Sequence, residues 1–248
     1  MIHIANSCLA VLICASDMCW ICISTLRNDL RQVHIQYVFC VFSGYLTYVT
    51  CAVLNYSFLL QALYRYVTVV YPSYLSWQSE QSQILLIVIA WIYALIFPIG
   101  FMFVGEIVYN SDNQICQIPL RLSFTMIFVT LSLYISPLLS TMLIYYKLVR
   151  YVYRMNKRII LVNTLSRAQN ELKMVRRAVT LLILLFTIDF PYALFLFISF
   201  FTSPPQYHFR IAYIFINIAL ACAIIMLFQF TDTLKASIRT ICPTSDEI

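Results

Sequence analysis

Six long stretches of apolar residues, separated by short polar or basic segments, set the pattern of this 248-residue chain. Each stretch is long enough to cross a hydrocarbon layer of about 30 Å at a helical rise of about 1.5 Å per residue. Because lipid offers the backbone no hydrogen-bond partners, each stretch is predicted to be an α-helix. The predicted spans are Ile2–Leu26, Ile35–Leu63, Ile84–Val108, Leu122–Leu148, Ala178–Phe201 and Ile211–Phe230.

The composition also indicates a membrane protein. Hydrophobic residues make up 62% of the chain and charged residues 10%, with a mean hydropathy of +0.85. Soluble domains contain about one-quarter charged residues. A transmembrane β-barrel would show alternating strands of about ten residues, whereas these stretches are unbroken. The predicted fold class is therefore an all-α integral membrane bundle of six helices. With only 3 glycines, large and aromatic side chains must fill its interfaces.

Basic residues are distributed unevenly between the two sides of the predicted bundle. Twelve of the 16 lysines and arginines fall on one side and four on the other. Because cytosolic loops are enriched in lysine and arginine, the richer side is predicted to face the cytosol. Topology thus accounts for the net charge of +6, and no nucleic-acid partner is expected. The largest group comprises Lys147, Arg150, Arg154, Lys157, Arg158, Arg167, Lys173, Arg176 and Arg177.

A single arginine marks the end of the second segment. The second predicted span contains no Asp, Glu, Lys or Arg, and Arg65-Tyr66 follows just after it. Pro72 is expected to end the helix, because proline lacks an N–H and its ring clashes with the preceding turn. One interpretation is an arginine that extends from the helix end to the interface. The alternative is functional: the sequence resembles the Asp-Arg-Tyr motif of rhodopsin-like G-protein-coupled receptors, with Tyr64 in place of the aspartate.

Further residues match this family in order and spacing. Cys40 precedes Arg65 by 25 residues, where the family places a cysteine that bonds to the second outer loop, here Cys116. The alternative for these two cysteines is a pair of free thiols. The resemblance covers the chain as helices two to seven, so we expect one receptor domain over 1–248 that lacks the family's first helix. The other matches are Trp91, Pro137, Tyr145, Glu171 and Pro191-Tyr192.

The resemblance implies a coupling surface at the cytosolic ends of the helices and a ligand site towards the outer face. It implies three partners at the plasma membrane: a heterotrimeric G protein, an extracellular peptide or small molecule, and the lipid bilayer. The implied switch residues are Arg65, Tyr66, Pro72, Tyr145, Glu171 and Pro191. The ligand-site residues, chosen by helix facing, are Thr47, Tyr48, Cys51, Asp189, Tyr192, Tyr213 and Asn217.

Several motifs of the family are altered in this chain. The family's second-helix aspartate is expected near Ile13–Ala15, but the acid nearby is Asp17. The tryptophan two residues before the sixth-helix proline is Asp189 here. Residues Ala223–Leu227 occupy the place of the Asn-Pro-x-x-Tyr motif. We therefore expect a modified switch and assign no sodium site.

Two ligand classes fit the sequence poorly. The last predicted span contains no lysine, so no retinal Schiff base can form there, and no cofactor is expected. Amine receptors of this family keep an acid where this chain has Thr47, and Asp189 is a conceivable substitute. An intramembrane acid often marks function. The alternative for Asp189 is a structural hydrogen bond to Asn55 or Asn217.

The segment after the last span is predicted to be an amphipathic helix, over about 231–242, lying on the inner membrane face. It resembles the short eighth helix of the family. Cys242 at its end is a palmitoylation candidate, and an unmodified thiol is the alternative. Apolar residues recur at steps of three and four, at Phe230, Leu234, Ile238 and Ile241, opposite Lys235 and Arg239.

The sequence favours a receptor that binds an extracellular ligand and activates a heterotrimeric G protein. One alternative is a six-span transporter or channel, for which only Asn55, Asp189 and Asn217 offer polar groups near mid-membrane. Another is a truncated, non-signalling receptor remnant. No HExxH, GxSxG or paired-carboxylate pattern occurs, and Cys19-Trp20-Ile21-Cys22 has no second pair. Neither an enzyme nor a metal site is predicted.

Overall fold

The computed structural model describes residues 2–31, 39–71, 73, 77, 79–121, 123–157, 183, 190–202 and 205–230; at 4, 155–157 and 226–230 it describes the backbone alone. The helices are long and apolar, as the sequence predicts. In chain order the elements are α1 (Ile2–Arg31), α2 (Cys40–Val70), α3 (Glu80–Val104), β1 (Val108–Asn110), β2 (Ile115–Gln117), α4 (Phe124–Val129), a π-helical turn (Thr130–Ile135), α5 (Ser136–Lys157), α6 (190–198) and α7 (His208–Phe230).

The predicted helical membrane bundle is confirmed. Within the described residues, five helices are long and apolar enough to cross a membrane. The predicted sixth span, Ala178–Phe201, falls largely outside the described residues, and its 190–198 portion is helical. The five candidate spans are Ala5–Arg31, Cys40–Val70, Glu80–Val104, Phe124–Arg154 and His208–Ile225.

Helix α2 is the centre of the bundle. It packs against α1, α3, α5, the π-helical turn and both strands. Half of the residues in the most apolar part of α2 are buried, whereas 11% are buried in the corresponding part of α3. The buried positions of α2 include small and polar residues, such as Ser43 and Gly44, which let neighbouring backbones approach. Helix α3 exposes large apolar side chains, as expected of a helix that faces lipid.

A side-chain hydrogen-bond chain joins α1, α2 and α3. The indole N–H of Trp91 donates to Asn6 Oδ1 at 2.9 Å, and Asn6 Nδ2 lies 2.7 Å from Ser57 Oγ. Polar side chains in an apolar bundle are costly unless they are paired, so this chain specifies which helix faces meet. The tryptophan that resembles the family's conserved position thus has a physical role here in holding three helices together.

The fourth span is interrupted at Pro137. Because proline has no N–H, the Leu133 carbonyl four residues earlier loses its usual helical partner. The Ser132 carbonyl loses its partner as well, because the Ser136 N–H bonds to Leu131 in the π-helical turn. Helix α2 supplies replacements: Asn55 Nδ2 donates to Leu133 O at 2.9 Å, and the Tyr56 hydroxyl donates to Ser132 O at 3.2 Å. The π-helical turn immediately before Pro137 is therefore held open by side chains from the central helix.

We expect Asn55→Ala to lower the free energy of unfolding by roughly 1–3 kcal/mol, because the Leu133 carbonyl is left without a donor. In a Pro137→Ala background the cost should shrink, because the restored N–H can reach that carbonyl. A double-mutant cycle of thermal unfolding in lipid nanodiscs measures this coupling. Equal costs of Asn55→Ala in both backgrounds would contradict the interpretation.

The predicted third span, Ile84–Val108, was wrong at its end. Helix α3 stops at Val104, because Gly105 adopts a left-handed φ of 74° and its N–H bonds back to the last turn. The chain then forms the antiparallel hairpin of β1 and β2, where the sequence predicted only an outer loop. Its register pairs Val108 with Gln117, Tyr109 with Cys116, and Asn110 with Ile115.

Candidate ligand site and coupling surface

The hairpin is bonded to the first turn of α2. A disulfide joins Cys40 to Cys116, which confirms the predicted bond. All three residues of β2 are buried. One turn along α2, Gly44 makes this packing possible: a Cβ there would overlap the Cys116 carbonyl oxygen and lie 2.9 Å from Ile107 Cγ2. We call this end of the bundle the disulfide end, and the opposite end, where Arg65 lies, the Arg65 end.

Two hydrogen bonds connect the hairpin to residues predicted to line the ligand site. The backbone N–H of Ile118 donates to the Tyr48 hydroxyl at 3.2 Å. The side-chain amide of Gln117 donates to the Tyr213 hydroxyl. Both tyrosines are buried. The structure therefore places Tyr48 and Tyr213 beneath the hairpin, one on α2 and the other on α7.

An ion pair joins α1 to α7 at the disulfide end. Arg210 donates to both carboxylate oxygens of Asp29, at 2.8 and 3.0 Å, and Gln114 donates to Asp29 at 3.0 Å. The guanidinium also lies 5.3 Å from the centre of the Tyr207 ring. Because the pair is partly exposed, it contributes little to stability and serves mainly to join the helix ends. Nearby, burial raises the pKa of Tyr109, and the Arg210 charge opposes that rise.

A buried carboxylate lies deeper in the bundle, between α1 and α2. Asp17 is only 5% exposed. Its Oδ1 accepts from Ser43 Oγ at 2.9 Å, and its Oδ2 accepts from Thr47 Oγ1 at 2.7 Å. Ser43 and Thr47 are one helical turn apart, so both hydroxyls face α1. Sequence reasoning sought an acid in place of Thr47; the structure instead brings the Asp17 carboxylate to the Thr47 side chain.

Four tyrosines from different elements lie near one another, and one of them lies near Asp17. They are Tyr48 on α2, Tyr134 in the π-helical turn, Tyr192 on α6 and Tyr213 on α7. Each lies near others of the group, and Tyr213 also lies near Asp17. We call these four residues the tyrosine group. Sequence reasoning missed Tyr134, although its place one turn before Pro137 was a usable signal.

The remaining described ligand-site residues lie next to the tyrosine group. Cys51 is half-buried, and its thiol and the Tyr134 hydroxyl are hydrogen-bonded. Asn217 donates to the backbone carbonyl of Tyr213 at 2.9 Å and makes a weaker contact with Cys22 Sγ at 3.6 Å. Much of the hydrogen-bonding capacity of Asn217 is thus used on its own helix and on α1.

At the Arg65 end, Arg65 and Tyr145 meet between α2 and α5. Tyr145 is buried in an apolar cluster with Ala62 and Leu148. Its hydroxyl lies close enough to the Arg65 guanidinium to interact with it electrostatically. Arg65 Nη1 is buried and has no hydrogen-bond partner among the described residues. An unpaired buried polar group is costly, so an acceptor that came within reach of this nitrogen would stabilise the protein.

The neighbours of Arg65 on α2 are aromatic. Tyr66 packs against the same apolar cluster, and its ring centre lies 6.2 Å from that of Tyr71. Tyr64, which replaces the family's acid, is partly exposed, and its ring centre lies 5.4 Å from that of His3 on α1. The structure thus gives Tyr64 an aromatic contact in place of an ion pair with Arg65.

Basic residues of α5 are exposed near this end. The side chains of Lys147, Arg150 and Arg154, on the helix that carries Tyr145, are all exposed. The rest of the predicted basic cluster lies outside the residues whose side chains the structure describes. The described part agrees with one strongly basic end, the end that holds Arg65.

Four predicted site residues lie outside the described residues, and their roles stay predictions; they are Pro72, Glu171, Asp189 and Cys242. The predicted interfacial helix over about 231–242 lies outside them too. Pro191 is described: it is half-buried near the start of α6, next to Tyr192. Helix α2 ends at Val70, two residues before Pro72, as the sequence predicts.

These features define a multi-pass helical membrane protein: the helices are apolar, the central helix is buried, and α3 exposes an apolar surface suited to lipid. Within that class the assignment is specific: the chain belongs to the 7 transmembrane receptor (rhodopsin family), whose family model matches residues 3–229. The family predicted from the sequence is thereby confirmed. No curated protein sequence matches the chain in a direct comparison.

Proposed function

We propose that this chain is a plasma-membrane receptor that binds an extracellular ligand at the disulfide end and activates a heterotrimeric G protein from the Arg65 end. The observation that carries the proposal is the junction of Arg65 and Tyr145 within a chain of this receptor family. A charged donor that lies between two helices, with one nitrogen unpaired, can take a new acceptor when the helices move.

The orientation rests on chemistry at the two ends. Disulfides form on the oxidising side of a membrane, which supports an outer position for Cys40–Cys116. Lysine and arginine accumulate on the cytosolic side, which supports an inner position for Arg65 and the exposed basic residues of α5. A ligand then acts by favouring one of two helix arrangements, and its difference in binding free energy limits the shift.

The transporter or channel alternative gains no support. Of its three mid-membrane polar residues, Asn55 donates to the Leu133 carbonyl and Asn217 to the Tyr213 carbonyl. These amides complete the bundle's own hydrogen bonding, as polar groups in a packed helical interior do. The third residue, Asp189, lies outside the described residues.

The experiment is nucleotide exchange on a panel of purified heterotrimeric G proteins, using membranes that contain the chain. We expect exchange above that of control membranes for at least one G protein, and its loss in Arg65→Ala at matched surface expression. Arg121→Ala, at the opposite end, is the control and should leave exchange unchanged. A tag near Asn163 should be accessible only after permeabilisation. Background exchange by the wild type, or full exchange by Arg65→Ala, would refute the proposal.

A further inference from the structure

Asp17 is an ionisable group in an environment that is expensive for a carboxylate. It lies between two membrane-spanning helices and is 5% exposed. Its described hydrogen-bond donors are two neutral hydroxyls, on Ser43 and Thr47. Among the described residues, the one ion pair joins Asp29 to Arg210, so none of their lysines or arginines neutralises Asp17. A buried acid without a cation is rare in membrane helices and marks a functional site by default.

The carboxylate has unused capacity for donors. An ionised carboxylate offers about four lone-pair sites, and the two hydroxyls use one on each oxygen. Thr47 lies seven residues along α2 from Cys40, so the site is about 10 Å below the disulfide at a rise of about 1.5 Å per residue. The central helix therefore holds the carboxylate in place in the part of the bundle nearer the disulfide end.

The surroundings of Asp17 suit a positive charge. Tyr213 interacts electrostatically with Asp17, and Tyr48 and Tyr192 lie beside Tyr213. The hairpin holds the hydroxyls of Tyr48 and Tyr213 through Ile118 N–H and the Gln117 amide, which orients the two rings. Aromatic faces attract cations, and the attraction grows when water is excluded. A carboxylate beside Tyr213, with further tyrosines next to that ring, matches the recognition of an ammonium group.

We propose that Asp17 is the counter-ion for an alkylammonium group of the ligand, with Tyr48 and Tyr213 flanking the cation. This inference rests on the proposed function, because it specifies the ligand class of that receptor site. It differs from the expectation drawn from the sequence, in which Thr47 excluded the usual acid and Asp189 was the substitute. Here α1 supplies the acid, and Thr47 orients it.

A purely structural role makes a different prediction. If Asp17 only joined α1 to α2, an amide there would keep both contacts, because its oxygen accepts from one hydroxyl and its NH2 donates to the other. Ligand charge would then not matter. If Asp17 is a counter-ion, removing its charge while keeping its shape must weaken the binding of cations and leave that of neutral molecules unchanged. Asp17→Asn separates these roles, and Asp17→Glu tests rescue by charge.

The probes are 2-phenylethylamine, its neutral analogue 2-phenylethanol, and the anion 3-phenylpropanoate. Binding to the purified chain in nanodiscs, without G protein, is measured by calorimetry and by the shift in unfolding temperature. We expect the wild type to bind the amine at least ten-fold more tightly than the alcohol, and to show no binding of the anion. Asp17→Asn should lose about 10- to 100-fold in amine affinity. Asp17→Glu should stay within a few-fold of the wild type.

The matched control is Asp112→Asn, which removes an exposed acid at the same end of the bundle. It should leave amine affinity unchanged. Should Asp17→Asn fail to fold, Asp189→Asn decides: an amine preference that persists in this variant supports Asp17, and one that is lost overturns the inference. Equal binding of amine and alcohol, or unchanged amine affinity in folded Asp17→Asn, overturns the inference. Amine binding without nucleotide exchange would instead remove the coupling part of the proposed function and leave the inference standing.

Discussion

Gly44→Ala is expected to prevent the hairpin from docking on α2 and to leave most of the protein without the Cys40–Cys116 bond. A Cβ at this position would overlap the Cys116 carbonyl oxygen and press on Ile107 Cγ2 at 2.9 Å. Cys116 and Ile107 are both buried, and the disulfide fixes Cys116 to Cys40, one helical turn before Gly44. Since neither can move aside cheaply, the cost should exceed the roughly 1–3 kcal/mol typical of overpacking.

Gly100→Ala provides the control for this prediction. Its added Cβ meets no atom within 4 Å, and the residue lies inside α3. Alanine favours a helix over glycine by about 1 kcal/mol, so Gly100→Ala should be neutral or slightly stabilising. Non-reducing peptide mapping measures the bonded fraction, and thermal unfolding in nanodiscs measures stability. If Gly44→Ala forms the bond as fully as Gly100→Ala, the close packing of hairpin and helix is wrong.

The helices were predictable because lipid imposes one rule on every span. An unbroken apolar stretch must pair its backbone internally, and this requirement yields a helix whatever its neighbours are. Helix ends do not follow this rule. Phe103, Val104 and Ile107 continue the apolar pattern of α3, yet Gly105 turns the chain and Val108 pairs across the hairpin. Apolar composition cannot distinguish the last turn of a span from the first strand beyond it.

The candidate site was predictable only in part, because spacing fixes the face of a helix but not its partner. Tyr48 and Tyr213 were assigned from their helix faces, and the structure brings both under the hairpin. Asp17 was noticed as an acid, but its contact with Thr47 depends on how α1 and α2 cross. That crossing is set by small and polar residues of α2 such as Ser43, which pack against α1.

The same small residues explain why the central helix is central. Apolar side chains gain little by leaving lipid for a helix interface, so the span with hydroxyls and a glycine gains most from burial. In α2 these groups include Ser43, Gly44, Thr47 and Ser57, and all are buried. The sequence therefore contained a signal for the inner helix. The span that carries polar and small residues at regular positions is the buried one, and the most apolar span is not.

Tyr145→Phe and Glu171→Ala are expected to change ligand-independent nucleotide exchange in opposite directions. The structure places the Tyr145 hydroxyl beside the Arg65 guanidinium, at the junction of α2 and α5. We predict that this contact supports the coupling arrangement. The resemblance makes Glu171 the acid that holds Arg65 in the non-coupling arrangement, because Tyr64 offers no charge there. Each variant then removes the partner of one arrangement and shifts the population towards the other.

The size of each shift follows from the strength of the contact removed. In this structure the Tyr145 hydroxyl and the Arg65 guanidinium lie near each other, and Arg65 Nη1 has no hydrogen-bond partner among the described residues. In the coupling arrangement we expect Arg65 to donate to the Tyr145 hydroxyl. Such a hydrogen bond to a charged group contributes about 1.5–3 kcal/mol, and about 1.4 kcal/mol is a factor of ten in an equilibrium. Tyr145→Phe should therefore lower basal exchange about ten-fold or more. An exposed ion pair contributes roughly 0.2–1 kcal/mol, so Glu171→Ala should raise basal exchange several-fold at most. An ion pair this weak holds the non-coupling arrangement only slightly, so we also expect appreciable basal exchange in the wild type.

Controls that change the same chemistry nearby make the pair of variants decisive. Tyr146→Phe removes a hydroxyl from the next residue, whose side chain is 63% exposed, and Asn170→Ala truncates the neighbour of Glu171. Both should leave exchange unchanged at matched surface expression. If Tyr145→Phe raises exchange, the Tyr145 contact belongs to the non-coupling arrangement. If Glu171→Ala has no effect in a chain that couples, Arg65 has no lock and is better described as an arginine that anchors the helix end at the interface.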